Sequence, residues 1–135
     1  MQQTLAIIKP AAVRRKLVGA IISEIERSDF HIKKITVTSL SQEKAAAFYS
    51  VHRNRPFFKD LVSFMSSGPI FVLLLEKDQA IDEWRDLMGL TDPFTASPGT
   101  IRYRFGQNTE ENAVHGSDSP ASAAREISFF FGEQK

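Results

Sequence analysis

Ile70-Phe71-Val72-Leu73-Leu74-Leu75 is the longest purely apolar run of the chain, six residues without a polar alternation. Such a run predicts a central strand buried on both faces, and the rest of the fold is read outward from it. Just upstream, Phe58, Leu61, Val62 and Met65 form a helical stripe closed by Gly68-Pro69. Before that, Ser41-Gln42-Glu43-Lys44 opens a helix in which Ala47, Phe48 and Val51 keep helical spacing as far as Pro56. Residues 32–40 read as a strand with one wet face, because Ile35 and Val37 alternate with Lys34, Thr36 and Thr38. Val18, Ile21, Ile22 and Ile25 mark an amphipathic helix, and residues 4–8 form a first strand stopped at Lys9-Pro10, since proline cannot donate to a ladder. Downstream, Ala80, Ile81, Trp84, Leu87 and Met88 make a helix ended by Gly89. Residues 92–112 read as mostly loop, and so long a loop in a compact domain is more often functional than idle. A short last strand at Ala113-Val114 precedes a helix with Ser119 as N-cap, Pro120 in its first position and a buried stripe of Ala123, Ile127, Phe130 and Phe131.

The order β-α-β-β-α-β with additional helices predicts an α+β fold: a ferredoxin-like, antiparallel four-stranded sheet with helices packed on one face. Its 135 residues suffice for one core, and no repeat or low-complexity linker divides them, so a single domain over 1–135 is expected. With 42% hydrophobic and 24% charged residues the composition is that of a globular protein. No cysteine is present, which excludes a disulfide frame, a thiolate nucleophile and Cys-ligated zinc. Seventeen basic against sixteen acidic residues are too balanced to draw the chain onto nucleic acid or a membrane by charge alone. The densest basic run, Arg14-Arg15-Lys16, reads as a solvated edge. Nothing at the N-terminus marks the chain for export, so the cytoplasm is the expected compartment.

Phosphate loops, dinucleotide fingerprints, zincin motifs and EF-hand loops are all missing from the sequence. The histidines at 31, 52 and 115 lack metal-ligand spacing. His31 reads as a half-exposed bystander, and a plain surface role outweighs a polar partnership for His52. His115 differs, because it stands in Asn112-Ala113-Val114-His115-Gly116-Ser117-Asp118-Ser119, between the last strand and a capped helix. Gly116 there permits close backbone approach and the hydroxyls can tie the turn together, and taken alone the histidine reads more readily as a satisfied turn residue than as a reactive one. Glu126 lies on or beside the buried stripe of the last helix, where it reads either as a carboxylate that holds an imidazole in one tautomer or as a flanking glutamate that reaches water. Arg85, placed between Ile81 and Met88, is expected to point to the covered side of its helix and so to need an anion. Lys9 and Arg102 add cations at element ends, and with the Thr91 hydroxyl they would match the charge of a polyphosphate.

These residues together resemble the nucleoside diphosphate kinase family over residues 4–131. The likeness runs through Ile8-Lys9-Pro10, Phe48-Tyr49 with His52, Arg55-Pro56-Phe57-Phe58, Leu61-Val62, Phe64-Met65 and Ser67-Gly68-Pro69. It continues through Arg85-Asp86-Leu87-Met88-Gly89, Pro98-Gly99-Thr100-Ile101-Arg102, the segment 112–119 and Arg125-Glu126-Ile127. Asn-x-x-His-Gly-Ser-Asp is highly specific by itself. The resemblance implies ping-pong transfer of the γ-phosphate, mainly from ATP, to a nucleoside diphosphate through a phosphohistidine, maintaining NTP and dNTP pools. It makes His115 the nucleophile, Glu126 its orienting carboxylate and Ser117 part of the same network. Lys9, Tyr49, Arg85, Thr91 and Arg102 become phosphate contacts, Asn112 and Lys9 sugar contacts, Phe57 the ring under the base, and Leu61 a further nucleotide contact. Mg²⁺ is expected on the substrate phosphates rather than on a protein metal site. Glu126 would favour the imidazolium of His115 while Lys9, Arg85 and Arg102 disfavour it, and activity is expected to fall on acidification. The family forms homo-oligomers, tetramers or hexamers, and the short tail resembles bacterial members.

Three positions depart from the family pattern: Ala11 stands where Asp is usual, Val51 where a carboxylate is common, and Trp84 where a small polar residue is usual. The first two imply weaker metal coordination without loss of activity. A silent nucleotide- or RNA-binding module on the same sheet would tolerate loss of His115 or Glu126, and both residues are present, whereas a structural oligomer would assemble but show no turnover with ATP and GDP.

Overall fold

Residues 1–109 and 111–132 are described by a computed structural model. In chain order the elements are β1 (Gln2–Ile8), α1 (Pro10–Arg14), α2 (Val18–Arg27), β2 (His31–Thr38), α3 (Gln42–Phe48) and a single 3₁₀ turn at Ser50–His52. There follow α4 (Phe58–Met65), β3 (Ile70–Lys77), α5 (Ala80–Met88), α6 (Ile101–Phe105), β4 (Val114–Gly116) and α7 (Pro120–Phe131). The four strands form one sheet in the order β2-β3-β1-β4, every neighbouring pair antiparallel. The apolar run falls in β3, which pairs with β1 on one side and β2 on the other. As expected of a central strand, Val72, Leu73, Leu74 and Leu75 are all fully buried.

Burial on both faces has a consequence that the strand order alone did not convey. Helices cover the sheet on both sides, where one face was expected. Leu5, Ile7, Val72 and Leu74 pack with Phe48, Leu61, Met65 and Ile127 from α3, α4 and α7. Ala6, Ile8, Leu73 and Leu75 point the other way, onto Ala12, Ile21, Ile25 and Trp84 from α1, α2 and α5. Because side chains alternate along a strand, two wholly apolar inner strands have two faces to bury, and the additional helices supply the second cover.

Other differences are local. The alternation in β2 is real, but its apolar members face water: Ile35 is 47% and Val37 56% exposed, while Thr36 and Thr38 are half-buried. Thr36 sits opposite Val72 and Thr38 opposite Ile70, so the threonines share the face of the first core, and β2 is an outer strand with a bulge between Ile32 and Lys34. The helix expected to reach Pro56 ends at Phe48, with Tyr49 buried at its C-cap. The chain then turns through the 3₁₀ segment, which leaves Val51 68% exposed rather than on a core stripe. The stretch 92–112, apart from residue 110 outside the described residues, holds a helix, α6, capped by the Thr100 hydroxyl accepting from the Tyr103 amide. Finally, the last strand includes His115, which sits opposite Ile7 in the sheet rather than in a turn after it.

Candidate active site

Burial of Ile7 and pairing with it fix the backbone of His115 to the middle of the sheet edge. The α7 start lies just beyond. Ser119 accepts from the Ser122 amide at 3.1 Å, and the Ser122 hydroxyl takes the Ser119 amide at 3.0 Å, a reciprocal cap that sets the direction of the helix. That direction carries Glu126 under the imidazole. Its Oε1 lies 2.9 Å from His115 Nε2 and accepts from Ser117 Oγ at 2.9 Å, and Ser117 Oγ in turn takes the Leu5 amide at 3.4 Å. Arg125 approaches the other carboxylate oxygen at 3.6 Å and donates to the Phe48 carbonyl at 3.3 Å. A carboxylate only accepts, so the bonded Nε2 carries the ring proton and Nδ1 holds the lone pair. Glu126 is a desolvated anion, 5% exposed, and its cost is offset by these charge-assisted bonds.

Cations line the same space. Lys9 caps β1, 6% exposed, with its Nζ 2.7 Å from Asn112 Oδ1. Asn112 donates from its amide to the carbonyls of Thr91 at 3.1 Å and Thr109 at 3.0 Å, so one side chain ties together three loop segments. Arg102, on α6, donates to the Gly89 carbonyl at 3.0 Å and the Val114 carbonyl at 2.9 Å. Its Nε is buried without a hydrogen-bond partner, and burial together with the Arg85 charge pulls its pKa down to about 10. Arg85 itself is exposed, which corrects the expectation that it turns to the covered side of its helix: Ile81, Trp84 and Met88 fill that side, and the guanidinium is left at the rim of the cleft. The Tyr49 hydroxyl is buried and unpaired, and burial, reinforced by Glu126, pushes its pKa far up, so it stays a protonated donor. Its ring meets the His115 ring edge-on at 5.8 Å.

All of these groups open onto a single cleft of about 710 Å³. Every catalytic or nucleotide-binding candidate from the sequence lines it except Ser117, which is wholly buried behind Glu126. Phe57, 40% exposed, and Leu61 form an apolar wall, with the His52 ring 5.6 Å from Phe57, and Thr91 lies exposed on the far wall. Trp84, which departs from the family pattern, is a core residue: it is fully buried and its indole N–H reaches the His115 carbonyl at 3.2 Å. Sequence reasoning missed that bond and the part of Arg125, Asp118 and Thr109 in the cleft wall; a tryptophan on a buried stripe was visible, but its backbone partner was not. A phosphate-sized anion entering here would meet Lys9, Arg85 and Arg102, a phenol and a free imidazole nitrogen, the requirements for phosphoryl transfer through histidine.

The family model for nucleoside diphosphate kinase matches residues 2–135. A nucleoside diphosphate kinase of Geobacter sulfurreducens is 51% identical over 133 residues, 98% of this chain and 97% of its own length. The solved nucleoside diphosphate kinase of Aquifex aeolicus superposes with a TM-score of 0.94 at 43% identity, covering 96% of this chain and 94% of that one. A halophilic nucleoside diphosphate kinase from Halobacterium salinarum, solved in complex with CDP, gives a TM-score of 0.94 at 36% identity over 98% of this chain and 88% of the other.

Proposed function

The chain belongs to the nucleoside diphosphate kinase family, and from that premise we propose that His115 is the residue that carries the phosphoryl group between nucleotides. The reaction is transfer of the terminal phosphoryl group of a nucleoside triphosphate to a nucleoside diphosphate by a ping-pong route through phosphohistidine. The observation that supports His115 is the 2.9 Å bond of its Nε2 to Glu126, which leaves Nδ1 as the nucleophilic atom. Nδ1 attacks the γ-phosphorus, the Nδ1–P bond forms as the bond to the β-bridging oxygen breaks, and the diphosphate departs. The second half-reaction runs the same step backward with a different diphosphate. Positive charge develops on the ring during attack, and the Glu126 carboxylate is placed to balance it.

Lys9, Tyr49, Arg85, Thr91 and Arg102 hold the phosphates, Lys9 and Asn112 the sugar hydroxyls, and Phe57 and Leu61 the base. Stacking on one ring discriminates little among bases, and a broad nucleotide range follows. Mg²⁺ is the cofactor this reading calls for. Among the described residues no group of three or more histidine, aspartate or glutamate side chains is placed to hold a metal. Glu126 is committed to His115 and Ser117, so Asp118 is the one remaining carboxylate of the described cleft wall. The ion would therefore rest mainly on phosphate oxygens and water, where it neutralises charge. No helix of the described residues is long and apolar enough to cross a membrane. We place the enzyme in the cytoplasm, as one domain over 1–135, assembled as a homo-oligomer of four or six chains; the exposed Ile35 and Val37 on an outer strand favour assembly.

The test is to incubate the protein with labelled ATP and Mg²⁺ and map acid-labile phosphate. Label on His115, lost together with GTP synthesis from GDP in His115→Gln, is the expected result. GTP made at undiminished speed by the variant would overturn the assignment.

A further inference from the structure

Two independent observations converge on the backbone of His115 from behind the cleft. First, Trp84 Nε1 donates to the His115 carbonyl at 3.2 Å, although Trp84 belongs to α5 and His115 to a three-residue outer strand. Second, a Cβ at Gly116 would lie 2.5 Å from Trp84 Cδ1, 2.6 Å from Trp84 Nε1 and 2.6 Å from Met88 Cε. The indole is thus pressed flush against the peptide that joins His115 to Gly116. Its own position is not free, since the ring is fully buried and packs edge-on against Phe30 with centroids 6.0 Å apart. The neighbouring carbonyl, that of Val114, is held by Arg102 at 2.9 Å. Both carbonyls bracketing the His115 backbone are therefore fixed by side chains from other elements.

A three-residue strand has little ladder of its own, and a small rotation of the 115–116 peptide would swing the imidazole relative to Glu126. A histidine that must present one nitrogen in line with a phosphorus loses rate steeply when its ring is misaimed. We propose that Trp84 is a positioning residue for phosphoryl transfer: its indole N–H locks the His115 peptide, and so the direction in which Nδ1 faces the cleft. This rests on the reading of His115 as the phosphoryl carrier. The side chain touches no substrate, so its loss should lower the rate of the chemical step and leave nucleotide affinity alone.

Trp84 is the single tryptophan of the chain, which permits a clean substitution. Incorporating benzothienylalanine at the tryptophan codon replaces the indole N–H by sulfur and keeps the ring shape. Trp84→Phe supplies a second, genetically encoded variant that also lacks the donor. The readouts are the rapid-quench rate of His115 phosphorylation by ATP, the steady-state kcat and KM, and thermal unfolding. Expected for the benzothienyl protein is native circular dichroism, a phosphorylation rate and kcat lower by about 5- to 20-fold, and KM within twofold of the parent. Trp84→Phe should show the same kcat-against-KM split with an added fall in thermal midpoint. If the parent labels His115 and the benzothienyl protein does so at an unchanged rate, positioning by Trp84 is wrong while the His115 assignment stands. A rise in KM matching the fall in kcat, or failure of the isosteric protein to fold, likewise overturns positioning in favour of a purely structural role. If the parent itself forms no phosphohistidine at 115, the assignment beneath the proposal fails first.

Discussion

Replacing Glu126 by glutamine isolates the charge of the residue from its shape. In the native protein one oxygen receives both the His115 ring and the Ser117 hydroxyl at 2.9 Å, in a setting where Glu126 is 5% exposed. Glutamine with its carbonyl oxygen turned to the same two donors keeps both bonds, now as neutral ones. What it cannot keep is attraction for the positive charge that spreads over the ring as Nδ1 takes the phosphoryl group. Unit charges about 4 Å apart at an effective dielectric near 20 attract by about 4 kcal/mol. With roughly half a charge developed in the transition state, about 2 kcal/mol of differential stabilisation is at stake, a factor of about 30 at 1.4 kcal/mol per tenfold. Glu126→Gln should therefore lower kcat by about 10- to 100-fold and leave KM within about threefold, because ground-state nucleotide binding does not use the charge. A coupled assay of GTP formation from ATP and GDP reads both parameters, and circular dichroism checks the fold. A kcat within twofold of the parent, from folded protein, would mean that the carboxylate serves only as a hydrogen-bond acceptor and would refute the electrostatic account.

Gly116→Ala forces a methyl group into Trp84 and Met88, both buried side chains, and should cost about 1–3 kcal/mol by overpacking, seen as a lower denaturant midpoint together with slower turnover. The Asp118 carboxyl is held below its ordinary pKa of 3.8, first by the Ser122 hydroxyl at 2.7 Å, against the opposing effect of desolvation, and then by its backbone, Arg85 and Ser119. A depressed carboxylate contributes stability above its ordinary pKa and loses it as pH falls through the lowered value. The gap in urea midpoint between parent and Asp118→Asn should accordingly be constant from neutrality down to about pH 4 and close below it; a gap that widens in acid would contradict this sign. Val51→Glu puts a carboxylate on an exposed position of the cleft wall and should lower the Mg²⁺ concentration for half-maximal rate by several-fold; an unchanged Mg²⁺ requirement would defeat the idea that Val51 weakens metal coordination.

What the sequence conveyed was decided by how local the determining physics is. α4, α5 and α7 follow from helical spacing, with the Gly89 stop of α5 and the Ser119 cap of α7 written into the chain, and their bounds agree with the stripes that predict them. β3 was legible because six apolar residues leave no wet face. β2 misled, because alternation tells which residues share a face and not which face is covered; the bulge between Ile32 and Lys34 and the outer position in the sheet are properties of pairing. α6 was invisible, a five-residue helix whose amphipathic signal is too short to register, yet it carries Arg102 to the cleft. The residues of the candidate site were recognised through their motif, whereas the way they are held, such as Asn112 bridging Lys9 to Thr91 and Thr109, depends on segments that meet only in three dimensions.

β2 leaves the backbone groups of its far edge and two aliphatic side chains, Ile35 and Val37, turned toward water, with no strand of the described residues beyond it. Where self-association covers that edge, folding and assembly become a single equilibrium, and the melting temperature climbs with protein concentration by mass action. Dilution would then act as a mild denaturant, and a thermal midpoint measured at one concentration would describe the assembly rather than the chain.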